Sequence, residues 1–300
     1  MSERVSIELK NRRIIRASGK DTYTFLQGMI SNDISKVSNN QSIYSTFLTP
    51  QGKFLNDFFV IKHKDHLLLD CEKGREDSLV ERLENYKLGS DIVFQKEPGY
   101  QVFALITNDF SVFNLEDKIL GSTVSSESTI TMLDPRHKKL GLRSIILKEE
   151  GKSFFKKEGF SNVTFDEYEK LRIPLGIPDG SRDIEVGKGL LMESGVSELN
   201  GIDWDKGCYL GQELTARTKF RGQLKRRLIP VKSEGPCPKH GSEIHLQEKL
   251  IGTVRSGIDN YAIALLEIDH VKKQESSKEK LTAQGIPLIP IPPDLSLIHI

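Results

Sequence analysis

One short stretch of the chain, residues 206–217, concentrates the residue types that carry out chemistry. It reads Lys-Gly-Cys-Tyr-Leu-Gly-Gln-Glu-Leu-Thr-Ala-Arg, so that glycines flank Cys208 and Tyr209. Glycine allows a left-handed backbone turn or the close approach of a ligand, and the residues that follow Gly211 are good helix formers. We therefore expect a tight loop that presents Cys208 just before the first turn of a helix. Such a position favours the thiolate form of a cysteine and attracts an anion.

Cys208 also has a less specific interpretation, because a lone cysteine is usually buried and inert. No histidine–carboxylate pair stands out as its catalytic partner, which argues against hydrolysis. A single thiol does not hold an iron–sulfur cluster unaided, so a role with a cluster requires a partner protein or a second ligand. The other cysteines, Cys71 and Cys237, form no CxxC pair, so no resident metal site is predicted. Such widely spaced thiols are typical of a reducing compartment.

The composition is that of a soluble globular protein. Of the 300 residues, 37% are hydrophobic and 28% are charged, and this length suggests about two or three domains. The net charge of +1 provides no field for unselective nucleic-acid binding. No apolar run reaches the roughly 18 residues of a membrane span, and the start of the chain lacks the apolar core of a signal peptide. We expect a cytoplasmic protein, or a mitochondrial matrix protein whose leader is missing from the sequence.

Hydrophobic periodicity divides the chain into distinct regions. Strand-like and helix-like segments alternate along residues 4–147, which indicates an α+β arrangement with antiparallel sheet. Residues 174–203 are glycine-rich and aperiodic, and we expect so long an irregular segment to be functional. Four short, regularly spaced strands between residues 228 and 268 predict a small β-barrel. We expect residues 272–280 to be a charged tail, residues 287–293 to be extended, and the last six residues to be non-native sequence.

Several further motifs accompany the cysteine motif in a fixed order along roughly residues 10–270. The motifs are Phe25-Leu26-Gln27-Gly28, Ser31-Asn32-Asp33-Ile34, Leu48-Thr49-Pro50-Gln51-Gly52-Lys53, Asp57-Phe58-Phe59-Val60, Pro174-Leu175-Gly176-Ile177-Pro178, Lys206-Gly207-Cys208-Tyr209-Leu210-Gly211-Gln212-Glu213 and Gly252-Thr253-Val254-Arg255-Ser256. In this combination the chain resembles the YgfZ-type folate-binding proteins, which assist iron–sulfur cluster maturation. They form a branch of the glycine-cleavage T-protein (aminomethyltransferase) superfamily. The eight-residue cysteine motif makes the resemblance far more specific than a lone glycine motif would.

The resemblance implies a fold of three lobes, arranged as a cloverleaf around a central channel. Two lobes are α+β with antiparallel sheets, and the third is a small C-terminal β-barrel. The expected first lobe is discontinuous and combines residues 1–45 with residues 140–225, including the cysteine motif. Residues 46–139 would form the second lobe and residues 226–272 the barrel, followed by a tail over residues 273–300.

The resemblance also implies tetrahydrofolate, or another folate derivative, as the cofactor. Glu193 matches the T-protein glutamate that holds the pterin, whose adjacent N–H donors suit a carboxylate; the alternative is a surface glutamate in a glycine-rich loop. The anionic tail of folate needs cationic partners, for which we expect Arg217 and Arg227. A solvated basic face accounts for the other basic residues of 217–227. The remaining expected cofactor-binding residues are Asn32, Asp33, Tyr209, Gln212 and Glu213.

Two departures from the T-protein bear on activity. The T-protein carries an acidic pair where this chain has Asn56-Asp57, and it lacks the Lys-Gly-Cys-Tyr motif. Both departures favour an accessory factor for iron–sulfur cluster assembly, in which Cys208 contacts a cluster transiently together with a partner. The expected partners are iron–sulfur assembly or carrier proteins and client iron–sulfur enzymes, including tRNA-modifying ones.

Two alternatives stay open. The first is a folate-dependent aminomethyl or one-carbon transferase, in which Asp57 would be the catalytic carboxylate. Cys208, the other candidate catalytic residue, belongs to the accessory-factor hypothesis. The second is an RNA-binding module that uses the basic residues 217–227, although the net charge makes direct nucleic-acid binding unexpected. No membrane association is expected.

Overall fold

The computed structural model describes residues 4–115, 118–222, 224–276 and 280–291, which fold into two compact units. The first unit consists of Met1–Pro50, Leu55–Phe165 and Leu199–Gln212, and the second consists of Gln51–Phe54, Asp166–Glu198 and Glu213–Ile300. The last six residues, which we expected to be non-native, lie outside the described part of the chain. Within the described part, no helix is both long and apolar enough to cross a membrane.

The first unit is built from two β-sheets and their helices. Its strands are β1 (Val5–Glu8), β2 (Arg12–Ser18), β3 (Ile43–Leu48), β4 (Phe54–His63), β5 (His66–Glu72), β6 (Val93–Lys96), β7 (Tyr100–Ile106), β8 (Thr123–Ser125), β9 (Thr129–Leu133), β10 (Leu142–Leu147) and β11 (Ser161–Val163). Its helices are α1 (Thr22–Met29), α2 (Glu76–Glu84) and α3 (Gly151–Lys157).

The two sheets differ in size but share an antiparallel character. A six-stranded sheet has the order β11-β1-β7-β10-β9-β8, and a five-stranded sheet has the order β3-β4-β5-β2-β6. Strand β1 is parallel to β11 but antiparallel to β7, and the pairs β10–β7, β10–β9, β4–β5 and β2–β5 are also antiparallel. Strand β4 is buried on both faces along most of its length, as expected for an interior strand of a covered sheet.

Strand pairing contradicts the lobe boundaries that we expected at residues 45 and 140. Strand β10 pairs with β7 and β9 in one sheet, with Leu142 opposite both Leu105 and Leu133, although the boundary at 140 assigned β10 to another lobe. Strand β3 spans the boundary at residue 45. Periodicity reports which face of a strand is buried, but it carries no information on the distant strand that pairs with it.

The second unit contains the barrel. Its helices are α4 (Phe165–Arg172), α5 (Gln212–Arg221) and α6 (Ile268–Ser276), and its strands are β12 (Arg226–Ser233), β13 (Glu243–Leu246), β14 (Lys249–Ile258), β15 (Tyr261–Glu267), β16 (Leu281–Ala283) and β17 (Ile286–Pro290). The strands close into a barrel of order β12-β15-β14-β13-β16-β17, which confirms the predicted barrel.

The predicted end of the barrel at residue 272 is wrong. Strands β16 and β17 complete the ring, and Leu281 and Leu288 are buried in its core. Helix α6 covers much of the segment that we interpreted as a charged tail. The polar residues before β16 and the prolines of β17 concealed two short strands whose burial depends on partners far away in the chain.

The irregular segment 174–203 belongs mainly to the second unit and is held by a buried arginine. It contains one 3₁₀ turn, Gly180–Arg182, and otherwise no regular element. The guanidinium of Arg172 donates to Asp183 at 2.8 Å and to the Ser256 hydroxyl at 2.8 Å. Asp183 accepts a further hydrogen bond of 2.9 Å from Ser256 N–H. These bonds fix the irregular segment to strand β14 of the barrel.

Candidate functional site

Cys208 is exposed in the loop Leu199–Gln212 of the first unit, called the cysteine loop below. Helix α5 begins at Gln212, as expected, and the Gln212 side chain accepts a hydrogen bond of 2.9 Å from Tyr209 N–H. Gly211 has a φ of 79°, a left-handed conformation that glycine adopts without strain. A Cβ atom at Gly207 would meet no atom within 4 Å. Because Cys208 is exposed, the alternative of a buried cysteine is wrong.

Polar contacts fix the cysteine loop to the turn that follows helix α1. Asp203 N–H donates to Ser31 O at 3.1 Å, and the Ser31 hydroxyl donates to Gly201 O at 2.6 Å. Asp203 accepts a hydrogen bond from Lys206 N–H and pairs with Lys36. Burial alone would raise the pKa of Asp203, but its hydrogen bonds with Lys36 and with backbone N–H groups hold that pKa below the ordinary value. Asp203 is therefore charged at neutral pH, and its carboxylate connects Lys36 to the backbone of the cysteine loop.

Lys206 and Tyr209 stand on either side of Cys208 in the same loop. Lys206 Nζ lies 5.0 Å from the centroid of the buried Tyr209 ring. Burial lowers the pKa of Lys206 to about 8, although the charges of Asp33 and Asp203 act in the opposite direction. Tyr209 is therefore buried next to Lys206, whereas Cys208 is exposed.

A cavity of about 610 Å³ lies in the first unit, and the cysteine loop forms part of its wall. This volume falls within the roughly 300–1,000 Å³ that is typical of small-molecule sites. The loop contributes Asn200 and Ile202, strand β3 contributes Tyr44, and Lys36 adds a cation. Our sequence interpretation missed Asn200, whose φ of 57° is left-handed; the Asn-Gly pair at 200–201 was the available signal for such a turn.

Asn32 and Asp33 have structural roles that the sequence did not indicate. Asn32 lines the cavity, and its amide donates to Tyr44 O and Asn200 O, both at 2.8 Å. Asp33 caps the short turn Ile34–Lys36 and accepts a hydrogen bond of 2.9 Å from Ser35 N–H. Both side chains therefore stabilise the backbone around the cavity. Asp33 does not itself line the cavity.

Asp57 is buried, with 2% of its surface exposed, inside a network of charges in the first unit. It accepts a hydrogen bond of 3.1 Å from the Tyr44 hydroxyl, and its other oxygen lies 3.6 Å from the Arg12 guanidinium. Tyr44 itself lines the cavity. The Tyr44 hydroxyl therefore links Asp57 to a residue of the cavity wall, a position that sequence reasoning did not anticipate.

Glu193 lines a second, smaller cavity of about 210 Å³, which belongs to the second unit. Its side chain is largely buried, and both carboxylate oxygens lie 3.3 Å from the Arg226 guanidinium. Arg255 and Lys188 add two further cations to the lining. The alternative of a surface glutamate is therefore wrong, and Glu193 faces a cavity with cationic neighbours.

The two arginines that we expected to bind an anionic ligand are engaged elsewhere. Arg227 is buried, pairs with Glu198 at 2.8 Å and donates to Met192 O at 3.0 Å. Arg217 forms an exposed pair with Glu213, at 2.8 Å, one turn away on helix α5. Glu213 therefore belongs to the solvated face of helix α5. The two ion pairs also reduce the positive charge of residues 217–227 that would be available to bind RNA. The cation next to Glu193 is Arg226, which we had assigned to the solvated basic face.

Comparisons with known proteins agree with this architecture. The family model described as the CAF17 C-terminal β-barrel domain matches residues 225–296. The aminomethyltransferase T of the glycine cleavage system from Bartonella henselae superposes with a TM-score of 0.77 over 97% of this chain and 85% of its own, at 13% sequence identity. The fold is therefore that of the aminomethyltransferase class, with two α+β sheets and a closed six-stranded barrel.

Sequence relatives narrow that class. The chain is 30% identical to an iron–sulfur cluster assembly factor IBA57 homolog of Neurospora crassa, over 93% of this chain and 67% of the relative. It is 28% identical to the mouse mitochondrial IBA57, over 92% of this chain and 82% of the relative, and 27% identical to the human protein, over 88% and 78%. The chain belongs to the IBA57 family of iron–sulfur cluster assembly factors. The comparisons name this family where the motif indicated the related YgfZ branch.

Proposed function

We propose that this protein is a folate-binding accessory factor in the assembly or repair of iron–sulfur clusters, acting through Cys208. The observation that carries the proposal is an exposed thiol on a loop that is fixed by hydrogen bonds and that also forms the wall of a cavity. Membership of the IBA57 family supports the iron–sulfur part, because the relatives carry that role in their names.

In this proposal the iron–sulfur cluster is the cargo, and Cys208 binds it transiently. An iron–sulfur cluster needs several thiolate or imidazole ligands, and among the described residues no group of three or more His, Cys, Asp or Glu side chains is placed to hold a metal ion. Cys208 therefore serves as one ligand, with the others supplied by an assembly or carrier protein or by a client enzyme, tRNA-modifying enzymes included. The open space at Gly207 gives such a partner access to the loop. The mitochondrial names of the relatives support the mitochondrial matrix as the compartment.

Glu193 is our candidate for holding the pterin of tetrahydrofolate. Its distance of 3.3 Å to Arg226 exceeds the roughly 2.7–2.9 Å of a strong charge-assisted hydrogen bond, and each carboxylate oxygen can accept more than one donor. The carboxylate of Glu193 therefore keeps acceptor capacity for the adjacent N–H donors of a pterin. Its cavity of about 210 Å³ is smaller than the roughly 300–1,000 Å³ typical of small-molecule sites, so the proposal rests on the chemistry of the carboxylate. Bound tetrahydrofolate would supply a carrier for one-carbon units, and the part of Glu193 is to bind and orient it.

A one-carbon transferase is the second candidate, and the shared fold with an aminomethyltransferase favours it. In this chain, however, Asp57 is buried and held by Tyr44 and Arg12. That environment suits a structural carboxylate better than a base that meets substrate. The accessory factor is therefore the function that the geometry supports better.

Calorimetry with tetrahydrofolate on the purified chain tests the folate proposal. We expect saturable heat with the wild type and at least about tenfold weaker affinity in Glu193→Gln, because the variant loses charge-assisted hydrogen bonds. Glu167→Gln, an exposed glutamate of helix α4, is the matched control and should bind as the wild type does. Absence of binding by the wild type would refute the folate part. Loss in Ile202→Trp with full binding in Glu193→Gln would place the ligand in the cavity of the first unit instead.

A turnover assay separates the two candidates. Purified protein is incubated with tetrahydrofolate and an aminomethyl or formyl donor, and the one-carbon product is measured. The accessory-factor proposal predicts no turnover above the rate without protein. Turnover that disappears in Asp57→Asn would establish the transferase in its place.

A further inference from the structure

The end of helix α1 has backbone carbonyls that its own helix does not satisfy. Ser31 N–H, which would complete the helical bond to Gln27 O, donates to Thr46 O instead. The cysteine loop supplies donors in its place, since Leu210 N–H donates to Gly28 O at 2.9 Å and Asp203 N–H donates to Ser31 O at 3.1 Å. Unsatisfied carbonyls at a helix C-terminus carry negative partial charge, so a cation is the favoured donor there.

Lys206 is that cation. Its Nζ donates to Gln27 O at 2.8 Å, to Ile30 O at 2.7 Å and to Asn32 O at 2.9 Å. A lysine ammonium has three N–H donors, and three carbonyls accept from this one. Asp203 accepts from Lys206 N–H at 2.9 Å, so the backbone of Lys206 is held as well as its side chain.

We infer that Lys206 is a positioning residue for Cys208. The cysteine lies between two anchors on the same helix end, the Lys206 ammonium on one side and Leu210 N–H on the other. Anchoring on both sides restricts the backbone of an otherwise exposed residue, which lowers the conformational entropy lost when a partner engages the thiol. The functional consequence rests on the proposed role of Cys208, whereas the positioning is a property of the isolated protein.

The test compares Lys206→Met, Lys206→Arg and, as matched control, Lys157→Met, which changes an exposed lysine of helix α3. Local order is measured by hydrogen exchange of Leu210 N–H and by acrylamide quenching of Trp204, the only tryptophan of the chain. Lys206→Met should accelerate exchange of Leu210 N–H at least about tenfold and increase quenching, because three charge-assisted hydrogen bonds are lost. Lys206→Arg, which retains charge and donors, should restore most of the protection, and Lys157→Met should match the wild type.

The outcomes separate this inference from the proposed function. Unchanged exchange and quenching in folded Lys206→Met would overturn the positioning role, whatever Cys208 does in cells. Should Lys206→Met fail to fold, Lys206→Gln keeps two donors and is expected to give intermediate protection; wild-type protection in Lys206→Gln would equally refute the inference. An ordered loop together with a dispensable Cys208 would leave the positioning intact and reject the proposed function.

Discussion

The three cysteines show how strongly the surroundings decide what one residue type can do. Cys71 is buried in strand β5, and burial raises the pKa of its thiol to about 12. Cys237 is half-buried, its Sγ lies 3.4 Å from Pro238 O and 3.5 Å from Tyr261 O, and burial raises the pKa of its thiol as well. Cys208 alone of the three is exposed. Of the three cysteines, Cys208 is therefore the one that a partner protein can reach.

A buried carboxylate, Asp70, holds the charged network of the first unit together. It accepts from Arg143 at 2.6 Å and from Arg12 at 2.9 Å, and the Arg143 guanidinium lies 3.9 Å from the centroid of the Phe59 ring. Burial alone would raise the pKa of Asp70, but the two guanidinium groups hold it below its ordinary value of 3.8. Its contribution to stability is therefore complete above pH 3.8 and is lost as the pH falls through the lower, folded-state value.

Asp70→Asn tests this assignment. At pH 7 the substitution should lower the free energy of unfolding by about 3–5 kcal/mol, because it removes the buried charge that the Arg12 and Arg143 guanidinium groups share. The difference from the wild type should shrink in acid, as the wild-type carboxylate becomes protonated. Urea unfolding at neutral pH and again at about pH 3 measures both effects. Asp65→Asn, an exposed aspartate of the neighbouring turn, is the control, and an equal loss in both variants would reject the network as the cause.

Single residues could be predicted from the sequence only where the motif itself named their role. The cysteine motif located the loop on which Cys208 is exposed. Glu193 lines a cavity, and its role in holding a pterin stays a prediction. Arg227 was assigned to a ligand, but it pairs with Glu198, 29 residues away in the chain. Such pairing is decided by tertiary contacts, and a run of basic residues does not show which of them find an acidic partner.

Elements were predictable where local pattern and burial agree. The four central barrel strands and the helix after the cysteine motif follow from periodicity and helix propensity. Strands β16 and β17 did not, because three to five residues with polar neighbours carry little periodic signal. The burial of Leu281 and Leu288 arises only when the barrel closes around them.

Closure of the barrel by β17 can be tested at two adjacent positions. Leu288 is buried in the barrel core, whereas 45% of the surface of Ile289 is exposed. Leu288→Ala should lower the free energy of unfolding by about 2–5 kcal/mol through lost burial and an internal cavity. Ile289→Ala is the matched control and should cost far less. Equal thermal or urea stability of the two variants would mean that the segment does not close the barrel.

At the scale of the whole molecule, the fold could be inferred from a few short motifs although overall similarity to the aminomethyltransferase structure is only 13% identity. The motifs identify a family whose members share an architecture, and the family then supplies the fold. The motifs do not indicate the order of the strands. Strand β10 lies next to β7 in one sheet, which the motifs did not predict. Pairing between distant segments depends on the packing of the entire unit, which local residues do not encode separately.

We propose above all that Cys208 is required for this protein to maintain the activity of iron–sulfur enzymes. The most direct measurement is the specific activity of iron–sulfur enzymes in cells that lack their own IBA57 and express this chain as wild type, Cys208→Ser or Cys237→Ser at equal level. We predict that the wild type and Cys237→Ser restore activity, whereas Cys208→Ser leaves it near that of cells with an empty vector. Full activity with Cys208→Ser would contradict the account.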